Sequence, residues 1–237
     1  MHTLYKRCSS LIPMHAILAL TMASALVSAQ SPPVLDTSHL KAVSFWATSY
    51  WVYSADNAAA GIPLRDPSDK LLGPVLSKKD WCSAALEGTV RVGGETYNFA
   101  KVVKGDHIDC SEYFKPDIGY SRFTLARGSF GDGTDGYVLV PYRTIAANPS
   151  FLKAGTVMYI PSALGQQLPD GTKHDGYFFI ADTGGEIKGN HIDVFQGDRV
   201  VPFPFIQSRR TPIFIGYIVR DPEILSRLQL LHTLPPK

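Results

Sequence analysis

The sequence predicts a mainly β fold, either a barrel or a sandwich, and three observations support this prediction. Short segments rich in β-branched and aromatic residues recur at fairly even spacing along the chain. Turn-forming pairs such as Gly93-Gly94 and Asp170-Gly171 separate these segments. Helical periodicity is scarce. The predicted strands are residues 43–53, 88–92, 97–103, 137–140, 156–160, 177–182, 191–195 and 213–219.

Two helices complete the prediction. Residues 80–87 are expected to form a short helix with Asp80 as its N-cap, because an aspartate side chain accepts hydrogen bonds from the free N–H groups of a first turn. Residues 221–232 are expected to form a C-terminal helix, with Asp221 as N-cap and Pro222 at the first helical position. Its apolar stripe consists of Ile224, Leu225, Leu228 and Leu231.

Composition excludes several classes of protein. Of the 237 residues, 45% are hydrophobic and the formal net charge is +2, which is too apolar and too nearly neutral for a disordered chain. The sequence has no basic run of the kind that binds nucleic acid, so no nucleic-acid partner is expected. A globular protein is expected instead, and we take it to be a monomer.

The first 29 residues have the pattern of a cleaved signal peptide. Lys6 and Arg7 precede an apolar stretch, residues 11–27, and Val27-Ser28-Ala29 resembles a cleavage site. A transmembrane anchor is the alternative; the polar linker that begins at Gln30 and extends through residues 30–42 disfavours it. Cleavage would leave 21 basic and 21 acidic residues. The sequence therefore predicts a periplasmic or secreted protein without a stable membrane anchor.

Cysteine usage agrees with export. Without Cys8 the chain retains one pair, Cys82 and Cys110, and an even pair in an oxidising compartment predicts a disulfide. Closing this loop is expected to stabilise the fold by roughly 3 kcal/mol. The spacing of histidines and cysteines matches no metal site, so we expect neither a metal nor another cofactor.

Candidate chemistry concentrates in residues 177–197. A strongly apolar strand ends at Asp182, a turn follows in which Gly184 and Gly185 are expected to adopt conformations closed to other residues, and a second strand carries Asp193. Alternation directs Asp193, with His191 and Phe195, away from the face of Ile192 and Val194. An aspartate among apolar strand residues is locally inconsistent, and such positions are often functional.

Both aspartates also have a purely structural interpretation. Asp182 precedes a Thr-Gly-Gly turn, where its side chain would accept backbone N–H bonds. Asp193 would form an ion pair with Lys188. Lys188 has two further interpretations: a solvated turn lysine, or a contact that keeps Asp182 ionised or binds a sugar.

Residues 182–195 (DTGGEIKGNHIDVF) resemble the signature of the 3D domain, which is shared with the membrane-bound lytic transglycosylase A family. Residues 140–149 (VPYRTIAANP), residues 152–156 (LKAGT) and residues 47–50 (ATSY) resemble flanking parts of that family. The resemblance implies a six-stranded double-psi β-barrel, to which the sequence pattern adds the C-terminal helix. The expected domain division is a barrel over 43–220 with the 3D core at 137–219, an insertion or extra subdomain at 54–136, and a helix and tail at 221–237.

The resemblance also implies an activity and its residues. The expected reaction cleaves the β-1,4 bond between N-acetylmuramic acid and N-acetylglucosamine in peptidoglycan and leaves a 1,6-anhydro end. Asp193 matches the catalytic acid and Asp182 the supporting aspartate of the glycine loop. Asn148 stands where the family has its third aspartate, and it cannot carry charge.

Aromatic residues on the first strand are candidates for a sugar-binding floor, because sugars stack their C–H faces on flat rings. Trp46 and Tyr50 share one face of this strand with Thr48, whose hydroxyl would reach a sugar hydroxyl. A core role is the alternative for each ring. The expected substrate-binding set is Trp46, Thr48, Tyr50, Asn148, Gly184, Gly185, Lys188 and His191.

Three functions remain open at this stage. The first is a lytic transglycosylase that uses Asp193 alone as acid and base, acting on peptidoglycan or another β-1,4-linked glycan. The second is a polysaccharide hydrolase, which needs a second carboxylate, either Asp182 or one from residues 54–136. The third is a non-catalytic, expansin-like protein that binds cell walls.

Overall fold

The computed structural model describes residues 34–198, 200–206 and 213–235. The predicted signal peptide lies outside these residues. No helix in the described ranges is long and apolar enough to cross a membrane. In chain order the elements are β1 (Lys41–Tyr50), β2 (Tyr53–Ser54), β3 (Ile62–Arg65), β4 (Leu71–Leu76), α1 (Lys78–Glu87), β5 (Thr89–Val92), β6 (Glu95–Val102), β7 (Ser121–Leu125), β8 (Thr144–Ala147), β9 (Val157–Tyr159), β10 (Tyr177–Asp182), β11 (His191–Phe195), β12 (Phe214–Val219) and α2 (Pro222–Leu231).

Six strands close into a barrel, which confirms the predicted fold class. Their order around the barrel is β1, β11, β8, β10, β9 and β12, and β12 pairs with β1 to complete the ring. The pairs β1–β11 and β8–β10 are parallel, whereas the other four are antiparallel. A closed barrel leaves no strand edge unpaired.

Alternation along the strands fills the barrel interior and leaves one set of side chains outside it. On β1, Phe45 and Ala47 are buried in the core, while Trp46, Thr48 and Tyr50 are only partly buried. On β11, Ile192 and Val194 are fully buried in the same core. Further buried members of this core are Ile145, Ala147, Leu152, Met158, Ile160, Phe178, Ile180, Phe203 and Phe205.

A second sheet lies between β1 and β8 in the sequence. It has the order β2-β5-β6-β7 and is accompanied by the hairpin β3–β4 and by α1. We call residues 53–125 the β2–β7 region. It has its own hydrophobic core, which includes Leu64, Leu76, Trp81, Val90 and Phe123. The proposed insertion boundaries, 54–136, remain a prediction.

The predicted disulfide is present in the β2–β7 region. Cys82 on α1 and Cys110 are bonded, with Cα atoms 5.7 Å apart, and both residues are buried in the core of this region. The bond therefore ties α1 to the loop that precedes β7.

Several local predictions were wrong. Helix α1 begins at Lys78 rather than at residue 80, because Ser77 is its N-cap and accepts a hydrogen bond from the Asp80 N–H at 3.1 Å. Residues 137–140 contain only an isolated bridge, between Asp132 and Val138. The barrel strand of this part of the chain is β8 instead. Strands β3, β4 and β7 lie in segments for which the sequence predicted no strand.

The C-terminal helix is confirmed, with Asp221 as its N-cap accepting from Glu223 N and Ile224 N. Of its predicted stripe, Leu228 is buried against the barrel but Leu231 is half exposed. His232, immediately after α2, is fully buried, and its ring contacts the Thr144 hydroxyl on β8 at 3.0 Å. The helix is thus fixed to the outside of the barrel.

Candidate active site

Pairing between β1 and β11 sets the geometry of the candidate site. In this parallel pair Thr48 lies opposite Asp193 and Trp46 lies opposite His191. All four side chains belong to the set that alternation directs away from the barrel core. Asp182 joins them because β10 and β11 both pair with β8, and Ala146 of β8 is the register partner of both aspartates.

Asp193 is partly buried and keeps some exposure to solvent. The Thr48 hydroxyl donates a hydrogen bond to its Oδ1 at 3.0 Å. Burial raises the pKa of Asp193 to about 7, the negative charges of Glu87 and Asp182 add to this increase, and the Thr48 hydrogen bond opposes it. A carboxyl group with this pKa holds its proton in a large share of molecules at neutral pH, as a general acid requires.

Asp182 is held by two donors. The Tyr50 hydroxyl donates to Oδ2 at 2.7 Å, and the backbone N–H of Thr183 donates to Oδ1 at 2.8 Å. Burial raises the pKa of Asp182 to about 6, against the effect of both hydrogen bonds. Burial and the Asp182 charge in turn raise the pKa of Tyr50 well above its ordinary value, so this tyrosine stays a hydrogen-bond donor. Asp182 therefore does bind its own turn, but it also contacts the site.

Trp46 and His191 form a flat stack beside Asp193. Their ring centroids are 3.6 Å apart and their planes differ by 1°. The His191 Nε2 lies 2.8 Å from the Thr48 hydroxyl oxygen. A hydroxyl has one hydrogen, and Thr48 gives it to Asp193, so the histidine donates from Nε2 to Thr48. The resulting chain, His191 to Thr48 to Asp193, orients the carboxyl group.

The backbone conformation of the loop between β10 and β11 differs from the prediction. Neither Gly184 nor Gly185 has a positive φ; the left-handed glycine of this loop is Gly189, with φ of 57°. A Cβ at Gly184 would lie 2.8 Å from the Ile187 Cδ1, the end of a flexible side chain, so a larger residue there would make the Ile187 side chain shift. Lys188 donates to the Gly185 carbonyl. The predicted alternative in which Lys188 pairs with Asp193 is not formed.

Asn148 is placed just after β8 and begins a turn. Its side-chain oxygen accepts a hydrogen bond from the Ser150 N–H at 3.0 Å, and its carbonyl accepts from Phe151 and Leu152. In the part of the chain that the structure describes, it forms no hydrogen bond with either aspartate. Its expected role in binding substrate remains a prediction.

Glu87 is a residue near the site that the sequence did not single out. It is the last residue of α1 and is partly buried. Burial raises the pKa of Glu87 to about 7. One sequence signal was available: a glutamate at the C-terminal end of a helix, just before Gly88, is unfavourable for the helix dipole.

Comparison with known proteins agrees with the resemblance. Residues 143–200 match the family model of the 3D domain, and no curated protein matches the chain. Among solved structures, the membrane-bound lytic murein transglycosylase of Agrobacterium tumefaciens is similar at 13% identity and a TM-score of 0.50, with 76% of this chain and 75% of that chain covered. Escherichia coli MltA with bound chitohexaose is similar at 13% identity and a TM-score of 0.49, with 74% and 71% covered.

At this identity the structural similarity establishes the fold. Residues 143–200 contain β8 to β11 and both aspartates of the site, so the family match falls on the segment that carries the candidate chemistry. The predicted resemblance is confirmed: residues 143–200 match the family model of the 3D domain, and the chain shares its fold with the Agrobacterium tumefaciens structure.

Proposed function

We propose that this protein is a peptidoglycan lytic transglycosylase that cleaves the β-1,4 bond between N-acetylmuramic acid and N-acetylglucosamine. The observation that carries the proposal is the Asp193 carboxyl group, partly buried, with a pKa of about 7 and one oxygen held by Thr48. The 3D-domain match supports the same assignment. So does the shared fold with a structure described as a lytic murein transglycosylase.

The first step is protonation of the leaving group. Because Thr48 donates to Oδ1 of Asp193, the acidic proton occupies Oδ2. Transfer of that proton to the glycosidic oxygen lets the bond to C1 of the muramic acid break with its electron pair on the departing oxygen. The positive charge that develops on the sugar ring is favoured by the Asp193 and Asp182 carboxylates.

The second step restores the enzyme without water. The Asp193 carboxylate removes the proton from the C6 hydroxyl of the same sugar, and O6 forms a bond to C1. One C–O bond is broken and one is formed, the proton returns to Asp193, and the product carries a 1,6-anhydro ring. A single carboxyl group of near-neutral pKa therefore serves both steps.

The other site residues hold Asp193 and the sugar. Tyr50 fixes Asp182 through its hydroxyl, and His191 fixes Thr48. The stacked Trp46 and His191 rings form a flat, partly exposed surface on which the C–H face of a sugar would pack. We also assign Gly184, Gly185, Lys188 and Asn148 to the sugar-binding surface, as the sequence predicts.

A hydrolase is the second candidate, and Glu87 favours it. An inverting or retaining hydrolase needs two carboxyl groups at the scissile bond. Glu87 adds a carboxylate close enough to influence the pKa of Asp193. If Glu87 activated a water molecule, the product would gain a reducing end instead of an anhydro ring.

Product mass separates the two functions. Purified peptidoglycan sacculi are digested with the protein, and the soluble fragments are analysed by mass spectrometry. Transglycosylation gives anhydro fragments that are 18 Da lighter than the hydrolysis products, a difference of one water. Anhydro fragments support the proposal, whereas hydrated fragments favour the hydrolase. Binding to sacculi without any soluble fragment would contradict both.

The matched variants are Asp193→Asn and Asp56→Asn. The first keeps the size of the side chain and removes the acid, so cleavage should fall by about 10²–10⁴-fold. Asp56 is exposed and makes no hydrogen bond or ion pair with another described side chain, so its variant should cleave at the unmodified rate. Equal rates for the unmodified protein and Asp193→Asn would remove Asp193 from the mechanism.

The site of action follows from the substrate. Peptidoglycan lies outside the cytoplasm, so we propose a periplasmic or secreted protein, in agreement with the signal peptide predicted at residues 1–29. The monomeric state and the lack of a membrane anchor remain predictions.

A further inference from the structure

We propose that Gly133 is a positioning residue for the proposed reaction. It lets the loop at residues 131–137 hold a β-bulge at Ala181, and this bulge directs the Asp182 carboxyl group into the site. The proposal rests on the proposed function for its catalytic meaning. The bulge and its contacts are properties of the protein without substrate, so they are tested separately from cleavage.

Strand β10 is irregular where it reaches the site. Ile180 is fully buried in the barrel core, so uninterrupted alternation would direct Asp182 into the same core. The pairing with β8 contains one extra residue at this point, because Ile180 pairs with Ile145 whereas Ala146, the next residue of β8, pairs with Asp182. Ala181 is therefore the extra residue of a β-bulge, and it moves the residue that follows to the opposite face.

This change of face brings Asp182 to the same side of the barrel as Asp193. Ala146 lies between two core residues of β8, so its side chain belongs to the face that points away from the core. Ala146 is the register partner of both aspartates, and directly paired residues share a face. Without the extra residue, Asp182 would face the core and would not meet the Tyr50 hydroxyl, which now donates to it at 2.7 Å.

The bulge is supported by a hydrogen bond from outside the barrel strands. The carbonyl oxygen of Ala181 accepts from the Thr134 N–H at 2.8 Å. A bulge disrupts the regular ladder of hydrogen bonds between strands. The bond from Thr134 therefore stabilises the irregular backbone immediately before Asp182.

The close approach of the loop to β10 requires glycine at position 133. A Cβ there would lie 2.1 Å from the Ala181 carbonyl oxygen and 3.1 Å from the carbonyl carbon. Both are backbone atoms, so they cannot rotate aside as the end of a side chain can. Gly133 does not have a positive φ. An alanine at this position is therefore excluded by the contact with Ala181 and not by its own backbone conformation.

The β2–β7 region fixes the same loop through a buried side chain. Asn98, on β6, binds the backbone of Asp132 twice: its Nδ2 donates to the carbonyl oxygen and its Oδ1 accepts from the N–H, both at 2.8 Å. The Asp132 carboxylate accepts from the backbone N–H groups of Arg127 and Gly128, each at 3.1 Å. Because Gly133 directly follows Asp132, these bonds determine where Gly133 meets β10.

Gly133→Ala in the full-length protein tests the proposal. The added methyl group should push the loop away from β10, release the bulge and break the hydrogen bond from Tyr50 to Asp182. Gly136→Ala is the matched control, because Gly136 lies in the same loop with φ of 83° and a Cβ there would have nothing within 4 Å. The control strains the loop backbone without adding a contact with β10.

Crystal structures of the two variants without substrate give the first result. In Gly133→Ala the Tyr50 Oη should move from 2.7 Å to beyond hydrogen-bond distance of the Asp182 Oδ2, whereas Gly136→Ala should keep this bond. A bond retained in Gly133→Ala, or lost equally in Gly136→Ala, would overturn the proposal.

Cleavage of sacculi gives the second result. Gly133→Ala should release fragments on the order of 10- to 100-fold more slowly, because a small displacement of a site group is enough for such a loss. Tyr50→Phe removes the same hydrogen bond, so the double variant should cleave no more slowly than the slower single variant. Losses that multiply contradict the proposal. If the proposed function fails instead, the bond is lost as expected but the unmodified protein does not cleave sacculi.

Asn98→Ala decides the question if Gly133→Ala does not fold. This variant adds no group beside β10 and removes both hydrogen bonds to the Asp132 backbone. The loop should then lose its position, so the bond from Tyr50 to Asp182 should be lost and cleavage should slow. An intact bond together with an unmodified rate of cleavage in Asn98→Ala would overturn the proposal.

Discussion

The barrel and the β2–β7 region keep their folds by different means. The barrel has a large core, with residues such as Phe45, Ile145 and Phe178 fully buried, and its strands form a closed ring. The β2–β7 region has an open four-stranded sheet and a smaller core, to which the Cys82–Cys110 bond adds a covalent link. In the barrel, strand register fixes which side chains face each other. In the β2–β7 region, the disulfide adds stability to an open sheet.

Asp182 and Asp193 of the barrel differ from the exposed carboxylates of the β2–β7 region. In the β2–β7 region, carboxylates such as Asp69 and Glu112 form exposed ion pairs with Arg65 and Lys78, which stabilise little. The barrel instead holds Asp182 and Asp193 partly buried, without a basic partner among the described residues. Burying a carboxyl group in this way costs stability, which is expected at a functional site and not in a structural element.

The largest expected effect is loss of the barrel core. Phe178→Ala removes a fully buried ring that packs against Phe203 and Phe205, and we expect the free energy of unfolding to fall by about 3–5 kcal/mol. Chemical denaturation measures this. Phe151, which is 46% exposed, is the control, and its alanine variant should lose much less. Similar losses for both variants would show that the barrel core is not the main source of stability.

Next in size is removal of the cross-link. Replacing both Cys82 and Cys110 by serine should lower stability by about 3 kcal/mol, since the 28-residue separation sets the entropy of the open loop. Amide hydrogen exchange should then be faster in β5, β6 and α1, while the barrel amides retain their protection. Equal loss of protection in the barrel would contradict the separation of the two regions.

A smaller expected effect is an increase in the free energy of unfolding when Asp193 is replaced by Asn. The pKa of Asp193 is raised from 3.8 to about 7 in the folded protein, so the unfolded chain releases its proton first as pH rises. Protonated Asp193 therefore contributes fully to the free energy of unfolding below about pH 4, and this contribution is lost between about pH 4 and 7. The upper limit of this loss is about 4 kcal/mol, and partial exposure of the group reduces our expectation to about 2 kcal/mol.

The measurement compares unfolding of Asp193→Asn with that of the unmodified protein between pH 4 and 8. The variant should be more stable by about 2 kcal/mol at pH 8, with a much smaller difference at pH 4. Asp56→Asn is the matched control, because Asp56 is exposed and forms no hydrogen bond or ion pair with another described side chain. A difference between Asp193→Asn and the unmodified protein that does not change with pH would contradict the assigned pKa.

The site within the barrel was largely predictable because the relevant information is local. A period of two in residues 191–195 separates Asp193 from the core residues Ile192 and Val194, and the same rule groups Trp46, Thr48 and Tyr50. The hydrogen bonds from Thr48 and Tyr50 to the aspartates then follow from strand register, which the sequence pattern does not contain.

The remaining features depend on contacts between distant segments. Helix α1 packs against β2, β3, β4 and β5, and nothing in residues 78–87 specifies that packing. Residues 137–140 have strand composition, but the N–H of Val138 bonds to the His232 carbonyl instead of to a neighbouring strand. The short β8 was missed because it is buried on both faces and therefore shows no alternation.

The smallest expected effect concerns the hydrogen bond from the Thr48 hydroxyl to Asp193. Thr48→Val keeps the shape of the side chain but removes the hydroxyl that binds Asp193 Oδ1 and His191 Nε2. That hydrogen bond lowers the pKa of Asp193, so its removal should raise the pKa further. The alkaline limb of cleavage would then move to higher pH.

Cleavage by Thr48→Val should also slow by about tenfold, or ~1.4 kcal/mol, because the acidic proton is no longer confined to Oδ2. The control is Thr124→Val, since Thr124 is exposed on β7 and its hydroxyl makes no hydrogen bond to a described residue. A displacement to higher pH in Thr48→Val, with an unchanged profile in Thr124→Val, means that the Thr48 hydroxyl sets the proton affinity of Asp193 from the side of β1. A profile that stays in place or moves to lower pH in Thr48→Val contradicts this, because loss of a hydrogen-bond donor must raise the proton affinity of a carboxyl group.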